Sequence, residues 1–192
     1  PEPENMYAPD HATWVEVPAL ANTLCGLSRP IHFRGVCTVV LKLFMLAQPS
    51  LAVFGEKDWQ QLAIIKKMVS DLNVPVEVVG RPIVREADGL ALSSRNVYLT
   101  PEERAQAPQI RKSLEMAAGL AAGGERDAAR IIEAVRGYLA EHLPTGEEDY
   151  ISIVDPAVLT KVDRIKDMAL CALAIRLGKA RLIDNILLKV GE

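Results

Sequence analysis

Cysteine and histidine are scarce in this chain. Three cysteines, Cys25, Cys37 and Cys171, make an odd set with no C-x-x-C spacing. That argues against a disulfide scaffold or a zinc ribbon, and for a reducing, intracellular setting. Three histidines, His11, His32 and His142, are too scattered to form a local metal motif. Basic excess is also missing: 22 Lys and Arg face 25 Asp and Glu, a formal net charge of −3. There is thus no electrostatic case for a nucleic-acid partner or an anionic membrane surface. No uninterrupted apolar run approaches the ~20 residues a membrane-spanning helix needs. What is present is ordinary for a globular chain, nearly half hydrophobic and about a quarter charged. At 192 residues it is long enough for one ample core or two small ones.

The pattern changes character part-way along. Thr13 to Val17 alternates as a short strand does, and Pro18 to Leu24 reads as a short helix with proline in its first turn. Residues 28–35 read as a loop, and Val36 to Ala47 as a helix apolar on most sides, stopped by Pro49. A short buried strand over Leu51 to Phe54 leads to an amphipathic helix from Asp58 to Leu72, with Leu62, Ile65, Met68, Val69 and Leu72 near one face. A valine-rich strand, Pro75 to Gly80, completes a helix-strand-helix-strand run, the signature of a parallel sheet. The alternation stops near Arg81-Pro82. Beyond it Thr100-Pro101-Glu102-Glu103 announces a helix, with threonine as N-cap, proline at N1 and glutamate at N3. That helix is expected to run toward Ala121, and a second from Asp127 to His142. Tyr150 to Val154, Met168 to Leu177 and Ala180 to Ile183 read as strands, with Ile186 to Val190 a further candidate; their tight turns favour antiparallel pairing. The fold class is α/β. A partial Rossmann-like parallel sheet over residues 1–82 precedes a small α+β domain with antiparallel strands over residues 83–192.

Three stretches carry candidate chemistry. At Gly55-Glu56-Lys57-Asp58 an apolar strand runs into a glycine and then a helix start, a place where α/β folds bind phosphate. Lys57 adds a full positive charge there. The alternative makes Gly55 a turn, Lys57 a solvated charge and Asp58 an N-cap, and for Asp58 by itself the cap is the better reading. Asp88 to Asn96 packs two hydroxyls, exposed backbone and the Arg95 guanidinium into one segment, suited to phosphate oxygens; a polar loop between domains is the competing account. His32-Phe33-Arg34-Gly35 is either a substrate-facing loop or a helix-entry loop.

Taken in order, R-P-x-H-F-R-G-V, F-G-E-K-D-x-Q-Q-L, D-G-L-A-L-S-S-R-N and A-R-L-I-D-N resemble the pantothenate synthetase (pantoate–β-alanine ligase) family over essentially the whole chain. One departure is Ile31, where the family usually has glycine. The resemblance implies an ATP-dependent ligase that joins pantoate to β-alanine through a pantoyl adenylate. It implies ATP-binding roles for Gly55, Glu56, Lys57, Asp58, Val84, Leu92, Ser93, Ser94 and Arg95. Among these Lys57, Ser93, Ser94 and Arg95 are implied to act in catalysis, and Val84 to hold adenine through its backbone. Gln61 matches a pantoate-binding glutamine. Magnesium is implied with ATP, no protein metal site is assigned, and a cytoplasmic homodimer is expected, with neither nucleic acid nor membrane as partner. The family's P-T-M-G-x-L-H-x-G-H motif does not occur here, so its proton-donor role is transferred to neither His11 nor His32. The expectation is of a chain entered midway through the Rossmann-like domain and inactive alone; the alternative is a non-catalytic nucleotide-binding or assembly module.

Overall fold

A computed structural model describes residues 2–191. It divides into two compact units, one ending at Arg81 and one starting at Pro82. In the first, the short helices α1 (Pro3–Met6), α2 (Pro18–Ala21) and α3 (Cys25–Ser28) precede α4 (His32–Ala47), β1 (Leu51–Gly55), a 3-10 turn (Glu56–Asp58), α5 (Trp59–Asp71) and β2 (Glu77–Arg81). β1 and β2 pair in parallel, with Val53 opposite Val79, as the helix between them requires. The second unit carries a 3-10 segment (Ser94–Tyr98), α6 (Pro101–Gln106), α7 (Gln109–Ala122), α8 (Ala128–His142), β3 (Gly146–Val154), β4 (Met168–Leu177) and β5 (Ala180–Lys189). Its strands form an antiparallel sheet in the order β3-β4-β5. The α/β class, with a parallel pair followed by an antiparallel α+β unit, is the one read from the sequence.

Several boundaries differ from expectation. Thr13 to Val17 forms no strand: the Val15 N–H donates to Thr38 Oγ1 on α4 at 3.1 Å, and Arg34 lies 5.0 Å from the Trp14 ring. The segment is extended because side chains of α4 hold it, so alternation there reports no sheet. The helix read over residues 18–24 ends at Ala21, and Leu24 has a positive φ of 43° before α3 begins. His32 to Gly35 is the first turn of α4, not a loop. α4 is buried only along Phe33, Cys37, Thr38 and Phe44, while Leu43, Met45 and Leu46 are exposed. β1 is likewise not buried, with Leu51 48% and Val53 56% exposed.

In the second unit the helix from Thr100 breaks at Ala107-Pro108, between α6 and α7, because proline has no N–H for a continuing helix. The start is as read: Thr100 Oγ1 accepts from the Glu103 N–H and the Glu103 carboxylate from the Thr100 N–H. Ile186 to Val190 is not a separate strand, since β5 runs unbroken through Asp184 and Asn185, both buried. The core lies between the sheet and the helices α7 and α8, centred on Ile110, Leu114, Ile131, Val135, Leu173 and Ile175. Burial pushes the Cys171 thiol up to about 12 and that of Cys37 up to about 11, so neither supplies a thiolate near neutral pH.

Helix α5 is fastened by a glutamine. Gln60 is buried; its Nε2 donates to the Leu20 and Thr23 carbonyls at 2.8 and 2.7 Å, and its Oε1 accepts from the Cys25 N–H at 3.0 Å. Gln61, next along the helix, is only half-buried. Gln60→Ala leaves buried backbone groups unpaired, at about 1–3 kcal/mol for such a group. Urea unfolding should show a loss of that size for Gln60→Ala and, for Gln61→Ala, a change within about 0.5 kcal/mol. Equal losses would show that the buried amide fastens nothing.

Candidate functional site

The predicted site residues fall into two sets, one on each unit. On the first, Gly55 ends β1, Glu56 to Asp58 form the 3-10 turn and Gln61 lies in the first turn of α5. The five are neighbours because the strand passes into the helix with only that turn between. Gly55 is extended, with φ −74° and ψ 136°, a conformation open to any residue. A Cβ built on it meets nothing within 4 Å. The fold therefore does not require glycine there. Glu56 leans over β2, where a Cβ on Gly80 would lie 3.0 Å from its Oε1. Lys57 is half-buried. Asp58 occupies the N-cap position of α5, as read, but its side chain makes no capping hydrogen bond.

The third candidate stretch opens α4, with His32 at its first residue. Besides covering Trp14, the Arg34 guanidinium pairs with Glu16 at 3.4 Å. Phe33, beside His32, is buried. His11 lies between the edges of Tyr7 and Trp14, at ring separations of 4.9 and 5.1 Å.

On the second unit, Val84 and Leu92 face each other across a miniature hairpin. The Leu92 N–H donates to the Val84 carbonyl and the Glu86 N–H to the Leu90 carbonyl, at 2.9 and 2.8 Å. Gly89 turns the tip at φ 92°, a backbone region side-chain-bearing residues avoid. Val84 and Leu92 expose their side chains while Leu90 and Ala91 are buried. Ser93 follows directly, its Oγ accepting from the Arg95 N–H at 3.2 Å, and Ser94 and Arg95 lie exposed at the start of the 3-10 segment. Three hydroxyl and guanidinium groups thus stand on one turn, open to an anion.

Sequence reasoning missed what supports that turn. Arg85, inside the hairpin, grips Asp184 of β5 with both terminal nitrogens, at 2.7 and 2.9 Å, and donates to the Gly89 carbonyl at 3.0 Å. Arg104 of α6 spans Asp88 and Glu86, each at 2.6 Å. Asn96 donates to Glu86 Oε1 and the Ala91 carbonyl, at 2.8 and 3.2 Å. The only signal in the sequence was the buried-strand context of Asp184, masked because an Asp-Asn pair normally marks a turn.

A profile of the family described as Pantoate-beta-alanine ligase matches residues 1–187. The pantothenate synthetase of Nitratidesulfovibrio vulgaris strain Miyazaki F is 67% identical over 192 residues, all of this chain and 68% of that protein. The chain belongs to the pantoate–beta-alanine ligase family. It spans about two thirds of the length of the curated relatives it matches. The solved pantothenate synthetase of Thermus thermophilus aligns at a TM-score of 0.90 with 46% identity, covering 95% of this chain and 66% of that one. The pantoate-beta-alanine ligase of Francisella tularensis, solved with beta-gamma ATP and beta-alanine, aligns at 0.70 with 30% identity, over 96% of this chain and 61% of that one.

The carboxylates of the hairpin are acid-sensitive supports. The Asn96 amide, then Arg104, hold the Glu86 carboxyl below its usual range, and Arg104 does so for Asp88. Folded values below unfolded ones, about 4.3 for Glu and 3.9 for Asp, give stability that is present above those values and lost as pH falls through the lowered ones. Thermal unfolding from pH 6 to pH 3 should show Glu86→Gln and Asp88→Asn variants with a shallower acid-side decline than the unaltered protein. Parallel declines would mean the pairs contribute nothing.

Proposed function

We propose that this chain contributes to the ATP-dependent condensation of pantoate with β-alanine. The observation that carries the reading is Gly55: at the strand-to-helix junction, beside Lys57, stands a glycine the fold does not need. Family membership supports it, as does the Francisella relative's complex with a nucleotide and β-alanine.

In this reading a carboxylate oxygen of pantoate attacks the α-phosphorus of ATP. A new P–O bond forms, the bond to the β-phosphate bridge breaks, and pyrophosphate leaves. The β-alanine amine then attacks the acyl carbon, the C–N bond forms, AMP departs with the electrons of the C–O bond, and the nitrogen sheds a proton. Gly55 lets the nucleotide approach the backbone, with Glu56 and Asp58 beside it. Lys57 stabilises charge shifting onto the departing phosphates. Gln61, with no side-chain hydrogen bond among the described residues, has its amide free for pantoate. Val84 and Leu92 border the adenine, and Ser93, Ser94 and Arg95 donate to phosphate oxygens. Magnesium enters on the nucleotide's phosphates, its usual seat; among the described residues no cluster of three His, Cys, Asp or Glu is gathered to hold a metal. A homodimer and a cytoplasmic setting belong to the same proposal; no helix among the described residues is long and apolar enough to cross a membrane.

In the complete protein, Lys57→Ala should slow pantoate-dependent pyrophosphate release about 10²–10³-fold, the usual cost of one preorganised donor. An unchanged rate returns Lys57 to the solvated surface. Gly55→Ala should weaken ATP binding in calorimetry while leaving unfolding free energy within about 1 kcal/mol, since an allowed backbone tolerates alanine. ATP affinity unaffected by the added methyl would remove the observation on which the reading rests.

A further inference from the structure

The donors at Ser93, Ser94 and Arg95 stand on a turn that touches β5 but directs most of its own side chains outward. Ser94, Arg95, Val97 and Tyr98 are all exposed. Exposed side chains add little to its geometry beyond that contact. Its hydrogen bonds lead through Asn96 to Arg104, beside the Arg85–Asp184 pair that holds the hairpin itself. Asn96 closes the turn, its N–H donating to the Ser93 carbonyl at 3.1 Å. Both partners of its amide nitrogen, Glu86 Oε1 and the Ala91 carbonyl, are acceptors, which fixes the orientation of the amide. Its Oδ1 is buried with no partner among the described residues, a cost accepted only if the other bonds hold the group in place. Glu86 in turn gives its second oxygen to Arg104, and the other arm of Arg104 takes Asp88 across the hairpin tip. Arg104 itself rides on α6, whose start is locked by the Thr100 and Glu103 capping box and whose end leads into the buried Ala107 and Ile110.

From this chain of contacts we propose that Arg104 is a positioning residue for nucleotide use: by bridging Glu86 and Asp88 it holds residues 84–96 in the geometry that receives ATP. The inference rests on the adenylation reading above for the identity of the ligand. It goes beyond that reading because Arg104, Glu86 and Asn96 bind one another and the hairpin backbone rather than carrying the donors assigned to ATP. Their effect is on the fraction of molecules whose hairpin and turn are already in place. Apparent affinity falls in proportion to that fraction, while the chemistry of the bound state is unaltered. The bridge also needs a guanidinium. A planar fork serves two carboxylates at once, whereas the compact ammonium of lysine pairs well with only one.

The test uses the complete protein and two readouts. Without ligand, Arg104→Gln should speed hydrogen exchange at the Leu90 and Leu92 amides, which donate to Asp88 Oδ1 and the Val84 carbonyl, by about tenfold or more, leaving the Leu173 and Ile175 amides of the sheet unchanged. In steady state the same variant should raise KM for ATP about 3–10-fold, as a competent fraction reduced to between a third and a tenth requires, with kcat within about twofold and KM for pantoate unaltered. Arg104→Lys should fall between, and Glu86→Gln combined with Arg104→Gln should add little to either. Should Arg104→Gln loosen the sheet as well, Arg104→Lys, which keeps one pair, carries the same two readouts. Unchanged exchange at Leu90 and Leu92 overturns the clamp. A lowered kcat with KM for ATP unchanged overturns the positioning role. A wild-type protein that forms no adenylate from ATP overturns the functional reading and the ATP half of this inference, and the exchange measurement still decides the clamp.

Discussion

The ion pair between Arg85 and Asp184 is the fastening on which the second unit's polar loop depends. Asp184 is 3% exposed and lies in the middle of a strand, where an unpaired carboxylate is among the costliest groups to bury. Its burial is tolerable because Arg85 meets both oxygens and the Asn185 N–H donates to one of them at 2.8 Å. The pair in turn dictates where the hairpin must sit, since Arg85 is its bridge residue opposite Ala91. The hairpin tip at Gly89 is fixed to that point through Arg85, while Glu86, Asp88 and Asn96 are tied instead through Arg104 and one another. Such a pair adds little net stability, because desolvation offsets attraction, but losing either partner leaves a stranded charge. It acts as a register pin.

The two units keep their candidate groups in different physical settings. On the first, the groups follow from covalent sequence and a strand-to-helix junction, so Gly55, Lys57 and Gln61 need no further device to be neighbours. On the second, exposed donors are held by charged side chains drawn from α6 and β5. The first arrangement depends on backbone geometry. The second depends on charge, and so feels pH and salt.

How much of this was legible in the sequence follows from the same distinction. Local devices were readable: the capping box at Thr100, the strand-glycine-helix junction at Gly55, the antiparallel strands of the second unit. Features set by a distant partner were not. Thr13 to Val17 alternates like a strand, but its hydrogen-bond partner is a threonine on α4, and alternation reports side-chain environment without naming the neighbour. Gln60 and Gln61 look alike in sequence, and only the positions of Leu20, Thr23 and Cys25 separate them. Arg85 and Asp184 lie 99 residues apart, so neither advertises the other. The break at Pro108 was available locally and was outweighed by the strength of the capping signal before it.

One further consequence concerns how the first unit behaves in solution. Among the described residues its sheet has two strands, β1 and β2, so each offers a row of backbone donors and acceptors along one side that no other described strand pairs. β1 itself exposes Leu51 and Val53, and the C-terminal half of α4 exposes Leu43, Met45 and Leu46. An open strand edge next to an apolar strip is adhesive in water. Its attraction grows with concentration and with excluded salts such as sulfate, which strengthen the burial of apolar surface, and a net charge of only −3 provides weak repulsion against it. An open edge beside exposed apolar side chains is also the kind of surface on which further strands of a parallel sheet pack.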